Sequence, residues 1–150
     1  MEIKEGYMPF MGYQTYYRIV GKTEEGKSPI ILLHGGPGST HNYFELLDRV
    51  AESGRAVIMY DQLGCGNSFV EGHPELWTPE TWLNELCVLI DYLHIDHFHL
   101  LGQSWGGMLA IIYLIEKSMV CTISSLLIIH RWAACSVPEA RASGDLMKLA

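Results

Sequence analysis

Residues 100–107, Leu-Leu-Gly-Gln-Ser-Trp-Gly-Gly, constrain the fold of this chain more than any other stretch. An apolar and aromatic approach from residue 97 meets Gly102, and Ser104 sits among small residues. A second apolar run follows over 108–115. That order predicts a strand, a sharp turn and a helix, with a serine at the apex. Gly102 to Gly106 fits Gly-x-Ser-x-Gly, the pattern in which a strained turn holds a serine hydroxyl clear of the sheet. The glycines have a physical reason, because strand and helix approach too closely there to leave room for a Cβ. A glycine-rich connection without chemistry fits the same residues, so the neighbouring segments must decide.

Those segments alternate in type. Residues 13–20, Tyr-Gln-Thr-Tyr-Tyr-Arg-Ile-Val, are aromatic and β-branched between Gly12 and Gly21 and predict a strand. The runs 30–33 and 55–60 predict short strands buried on both faces. Asn42 is placed to cap a helix over 43–52, with Phe44, Leu47, Val50 and Ala51 on one face. Thr78 followed by Pro79 marks the start of a helix running to about Leu93. Strands are also predicted over 97–101 and 123–129, and a helix over 105–116. Strands alternating with helices imply a parallel sheet covered on both faces, an α/β fold.

Composition narrows the function classes. The chain has 150 residues, enough for one domain. It is 49% hydrophobic and 18% charged, which favours a packed core. A net charge of −7 argues against a nucleic-acid surface. No apolar run has the length of a membrane span, so no membrane partner is expected. The N-terminus lacks a basic region followed by an apolar one, and no signal peptide is expected. Cys65, Cys87, Cys121 and Cys135 lack metal or redox spacing and read as reduced thiols of a cytoplasmic protein. His97 and His99 alternate along a strand without a third ligand, so no metal and no cofactor is expected.

In such sheets ligands bind at the carboxyl ends of the strands. Three unusual loops fall there: His-Gly-Gly-Pro-Gly at 34–38, Asp-Gln-Leu-Gly-Cys-Gly-Asn-Ser at 61–68, and the turn at 102–107. A serine nucleophile needs donors aimed at the oxyanion that forms on the substrate carbonyl. One is the N–H of the residue after it, Trp105, and the other comes from the loop of an earlier strand, Gly36 or Gly35.

In order and spacing these three loops resemble the proline iminopeptidases, over roughly residues 1–115. The resemblance implies an α/β-hydrolase fold, here the N-terminal part of its mostly parallel sheet, with the cap domain and C-terminal strands missing. It implies a serine exopeptidase that acts on small peptides with a free N-terminus, preferring proline, through an acyl-enzyme on Ser104. Gly36 and Trp105 would form the oxyanion hole, with His34, Gly35 and Asp61 supporting the loops. The Trp105 indole would either wall the substrate pocket or pack on the sheet. Trp82 reads as core cover, and Trp77 reads as rim or cover.

A serine hydroxyl also needs a base, and the base needs a carboxylate to orient it. In this fold both follow the serine in chain order. After Ser104 the chain offers His130, Glu116, Glu139 and Asp145, and His130 reads as a strand-end residue and not as the base. Residues 1–130 are expected to form the domain portion and 131–150 an irregular tail unlike the family, as from a gene truncated or frameshifted within 116–131. A chain of that kind is expected to be inactive alone and to associate through the open edge of its last strand. Two alternatives stand beside the peptidase: esterase or amidase chemistry on a small acyl substrate, and a non-catalytic remnant or interaction module.

Overall fold

The computed structural model describes residues 1–117 and 122–129. The tail beyond, with His130, lies outside the described residues. Six strands form one sheet: β1 (Ile3–Phe10), β2 (Tyr13–Val20), β3 (Ile30–Leu33), β4 (Val57–Tyr60), β5 (His97–Gln103) and β6 (Thr122–Ile129). Their order in space is β1-β2-β4-β3-β5-β6. β2 pairs antiparallel with both β1 and β4, while the β4–β3, β3–β5 and β5–β6 pairs are parallel. The sheet is therefore mixed, with β2 alone running against the rest.

β1 has no counterpart in the sequence reading. Its exposed positions mix Ile3, Tyr7 and Pro9 with Lys4 and Glu5, and only Met8 and Phe10 are buried, so its alternation is faint. The turn that makes it a hairpin partner of β2 is equally disguised. Met11 and Gly12 both have positive φ, 50° and 83°, the two-residue turn that suits strand twist. Methionine is an uncommon choice for the first of those positions, where asparagine or aspartate would have signalled the turn.

The short parallel strands carry continuous apolar runs because both of their faces are covered. Ile31, Leu33, Ile58, Tyr60 and Leu100 face one layer, made by α1 (Pro79–Tyr92) and α2 (Trp105–Lys117), with Leu86, Leu89, Leu109 and Tyr113 packed against them. Leu32, Val57, Met59 and Leu101 face the other layer with Phe44 and Ala51.

That second layer departs from expectation. Residues His41–Ser53 form a 3₁₀ helix, and its N-cap is Thr40, not Asn42. Phe44, Leu47 and Val50 recur every three residues, a spacing that fits a three-residue turn as well as an α-helix. Thr40 makes no side-chain cap. The His41 N–H, which a local cap would otherwise serve, donates instead to Asp61 Oδ1 at 2.9 Å. The Asn42 amide oxygen accepts from the Thr40 hydroxyl. A carboxylate twenty residues away thus replaces the local cap. α1 begins as its sequence indicates, with the Thr78 hydroxyl accepting from the Thr81 N–H and Pro79 in the first turn. Among the described residues no helix is long and apolar enough to cross a membrane.

Candidate active site

The carboxyl ends of β3, β4 and β5 lie side by side, and the loops at 34–38, 61–68 and 102–107 leave from them. β3 and β5 pair in register up to Leu33 and Gly102, which sets the first and third loops against each other. Ser104 has a φ of 54°, strained for a residue that bears a Cβ. The glycines around it are dictated by packing. A Cβ on Gly102 would run into the Gly106 carbonyl, and one on Gly106 into the carbonyls of Leu33 and His34. Sheet and helix touch backbone to backbone at this turn.

The first loop is braced from several sides. Gly35 N–H donates to the Tyr43 hydroxyl at 2.7 Å, and that hydroxyl donates to Gln103 Oε1 at 3.0 Å. Of the two glycines proposed from sequence, Gly35 is thus engaged. Gly36 has a φ of 120°, and no hydrogen bond among the described residues takes up its N–H. The Trp105 N–H, first in α2, is equally open, as the leading N–H groups of a helix are.

His34 is fully buried and both ring nitrogens are committed. Nε2 accepts from the Gln62 N–H at 2.9 Å, so Nδ1 carries the proton and donates to the Gly35 carbonyl at 2.8 Å. Burial, which favours the neutral ring, holds this imidazole below its ordinary pKa despite the Gly35 carbonyl. Asp61 is also fully buried. Its carboxylate accepts from the N–H of His41, the His41 ring at 2.7 Å and the N–H of Asn67. Burial opposes its ionisation, and these donors outweigh burial, so Asp61 titrates below the usual carboxylate range. His41 and Asp61 have the form of a base–carboxylate pair. However, His41 Nε2 lies 3.7 Å from Glu45, and no hydrogen bond among the described residues joins it to Ser104.

Trp105 packs its indole inward. The ring is buried, meets Trp82 edge to face at 5.2 Å and donates through Nε1 to Gln62 Oε1 at 2.9 Å. The cavity beside the 34–38 loop, about 410 Å³, is lined by Pro37, Gly38, Leu63, Gly64, Cys65, Trp77 and Trp82. Trp82 therefore covers core and walls the cavity at once, and half-exposed Trp77 rests over Gly64. A shallower depression of about 630 Å³, between Lys4, Tyr17, Tyr92 and His94, lies at the amino end of the parallel strands, away from these loops.

Four residues do work here that the sequence analysis does not assign to them. Gln62, Tyr43 and Gln103 tie the loops together as described. Glu85 on α1 accepts from the Thr15 hydroxyl and, at 2.9 Å, from the Leu63 N–H. Burial pushes its carboxyl up to about 7, against the pull of those two donors. Nearby, the Tyr60 hydroxyl is buried without a hydrogen-bond partner among the described residues. Glu85 had a legible signal: it occupies the buried stripe of α1 with Trp82, Leu86 and Leu89, where an unpaired charge would be costly.

A family model described as alpha/beta hydrolase fold matches residues 28–126. The chain is 71% identical over 116 residues to a proline iminopeptidase of Clostridioides difficile (strain 630), a match spanning 77% of this chain and 40% of that protein. It is 57% identical over 139 residues to a proline iminopeptidase of Lactobacillus crispatus (strain ST1), spanning 91% of this chain and 47% of that one. The chain thus covers less than half the length of these relatives. Among solved structures it resembles the proline iminopeptidase of Mycobacterium smegmatis, with a TM-score of 0.73 and 37% identity over 82% of this chain and 42% of the other. It also resembles VinJ, with a TM-score of 0.77 and 38% identity over 83% and 43%.

Proposed function

The chain belongs to the α/β-hydrolase fold family, and from this we propose that it carries the nucleophile and oxyanion hole of a cytoplasmic serine exopeptidase acting on peptides with a free N-terminus, preferentially proline. The observation that carries the proposal is Ser104 at positive φ between two glycines that admit no Cβ, with open N–H groups on Trp105 and Gly36. The names of its relatives supply the substrate.

In the proposed reaction the Ser104 hydroxyl attacks the carbonyl carbon of the N-terminal residue as a general base takes its proton. The carbonyl oxygen becomes an oxyanion that accepts from the Gly36 and Trp105 N–H groups. Collapse breaks the C–N bond, the base returns the proton to the leaving amine, and water then releases the amino acid from Ser104. The base and its carboxylate come from outside the described residues, because His34 is spent on the loop and His41 on Asp61. Asp61, His34 and Gly35 hold the loops.

One observation favours a second reading. Among the described residues that line the 410 Å³ cavity no carboxylate stands ready for a substrate's α-ammonium, which suits esterase or amidase chemistry on a small acyl group. A fluorophosphonate probe tests the nucleophile: whatever label the chain takes up should fall on Ser104 and vanish in the Ser104→Ala variant, and labelling should be slow while the base is missing. Label that persists in Ser104→Ala would overturn the assignment of the nucleophile. Hydrolysis of a proline arylamide against p-nitrophenyl acetate separates peptidase from esterase.

A further inference from the structure

Gln62 is a fully buried amide with all of its side-chain groups committed. Its N–H donates to His34 Nε2 at 2.9 Å, its side-chain Nε2 donates to the His34 carbonyl at 3.0 Å, and its Oε1 accepts from the Trp105 indole at 2.9 Å. β3 lies between β4 and β5 in the sheet. The amide thus reaches from the end of β4 across the end of β3 to the first residue after the β5 turn. His34 leads into Gly36 two residues on, and Trp105 bears the second open N–H on its own backbone.

We propose that Gln62 is a positioning residue that sets the spacing between the N–H groups of Gly36 and Trp105. This rests on the reading of those two groups as the oxyanion hole. The two donors belong to separate loops, and beyond the Leu33–Gly102 pair the β3–β5 ladder no longer joins them. Among the described residues, Gln62 is the side chain that hydrogen-bonds to both His34 and Trp105. Its own place is fixed by α1, which holds the next residue by both backbone groups: Leu63 N–H donates to Glu85, and the Leu63 carbonyl accepts from Trp82 Nε1 at 3.0 Å. Oxyanion donors act through preorganised geometry, so a displacement of a fraction of an ångström reduces their effect.

The test uses the whole chain and two variants. Gln62→Met removes the amide, and Trp105→Phe removes the indole donor while keeping an aromatic ring, so the test survives if the first variant fails to fold. The backbone amide resonance of Gly36 should move in Trp105→Phe, although the exchange is made in a different loop, while amides in β1 stay in place. The rate of fluorophosphonate labelling at Ser104 should fall about tenfold in the same variant, read well below its melting temperature. A Gly36 resonance that stays at its parent position, or a labelling rate that does not change, overturns the proposal. A parent chain that takes up no label reports the missing base, and the Gly36 resonance then decides the role of Gln62 by itself.

Discussion

Ser104 and Glu85 each sit where their residue type is costly, and each cost is met by neighbours. Ser104 keeps its φ because Gly102 and Gly106 let strand and helix close around it. Glu85 is buried among Thr15, Leu63, Tyr60, Cys65 and Asp61, and its charged form has two donors for company. Its carboxyl titrates from 4.5 to about 7 on folding, so in that window the folded state binds more protons than the unfolded one. Stability from this group is therefore present at low pH and falls as pH rises, by roughly 3 kcal/mol across the window. His34 has the opposite sign: its depressed pKa costs stability as pH drops below 6.5. The two trends overlap, so the measurement must be a difference. Urea unfolding of the parent and of Glu85→Gln at pH 5 and pH 8 should show the parent losing about 2–3 kcal/mol relative to the variant. A gap that does not change with pH would show that Glu85 does not titrate there.

Between elements, a two-pronged ion pair fastens the antiparallel strand to the 3₁₀ helix. Arg18 on β2 is buried and forms two parallel hydrogen bonds with Asp48, both at 2.8 Å. The Asp48 carboxylate beside it raises the guanidinium pKa further, and burial opposes that rise. Removing Asp48 leaves the buried Arg18 charge with only the exposed Glu5, 4.0 Å from its Nε, and Glu45 nearby. Asp48→Ala should therefore cost about 3 kcal/mol in chemical denaturation. Replacing the pair together, Arg18→Met with Asp48→Leu, should recover most of that loss. A loss of equal size in the double variant would mean that packing, and not the stranded charge, sets the cost.

On the scale of the whole molecule, cover is uneven. β6 is hydrogen-bonded on its β5 side, and no strand among the described residues pairs with its other edge. On α2, Met108, Ile111 and Ile115 are exposed at helical spacing, Ile115 at 77%. An open strand edge and an apolar helix stripe both favour association. Sedimentation velocity should show self-association that grows with concentration, reduced in a variant carrying Ile111→Glu and Ile115→Glu. A monomer at all concentrations would mean that these surfaces are covered within the chain.

Much of this was determined by the sequence alone. The parallel strands, the boundaries of β2 and β3, the start of α1 and the serine turn all follow from local causes: apolar runs, a proline after a capping threonine, and glycines where a Cβ does not fit. Those signals lie within a few residues of what they specify. β1, the mixed pairing around β2 and the 3₁₀ geometry of His41–Ser53 were decided by tertiary contacts. So were the choice of Gly36 over Gly35 as the open donor, the inward packing of Trp105, and the work of Gln62, Tyr43 and Glu85. Each depends on a partner tens of residues away or across the sheet, as when Asp61 serves as the cap of a helix twenty residues earlier. A polar side chain in sequence shows what bonds it can make, and only the folded chain decides with which partner it makes them.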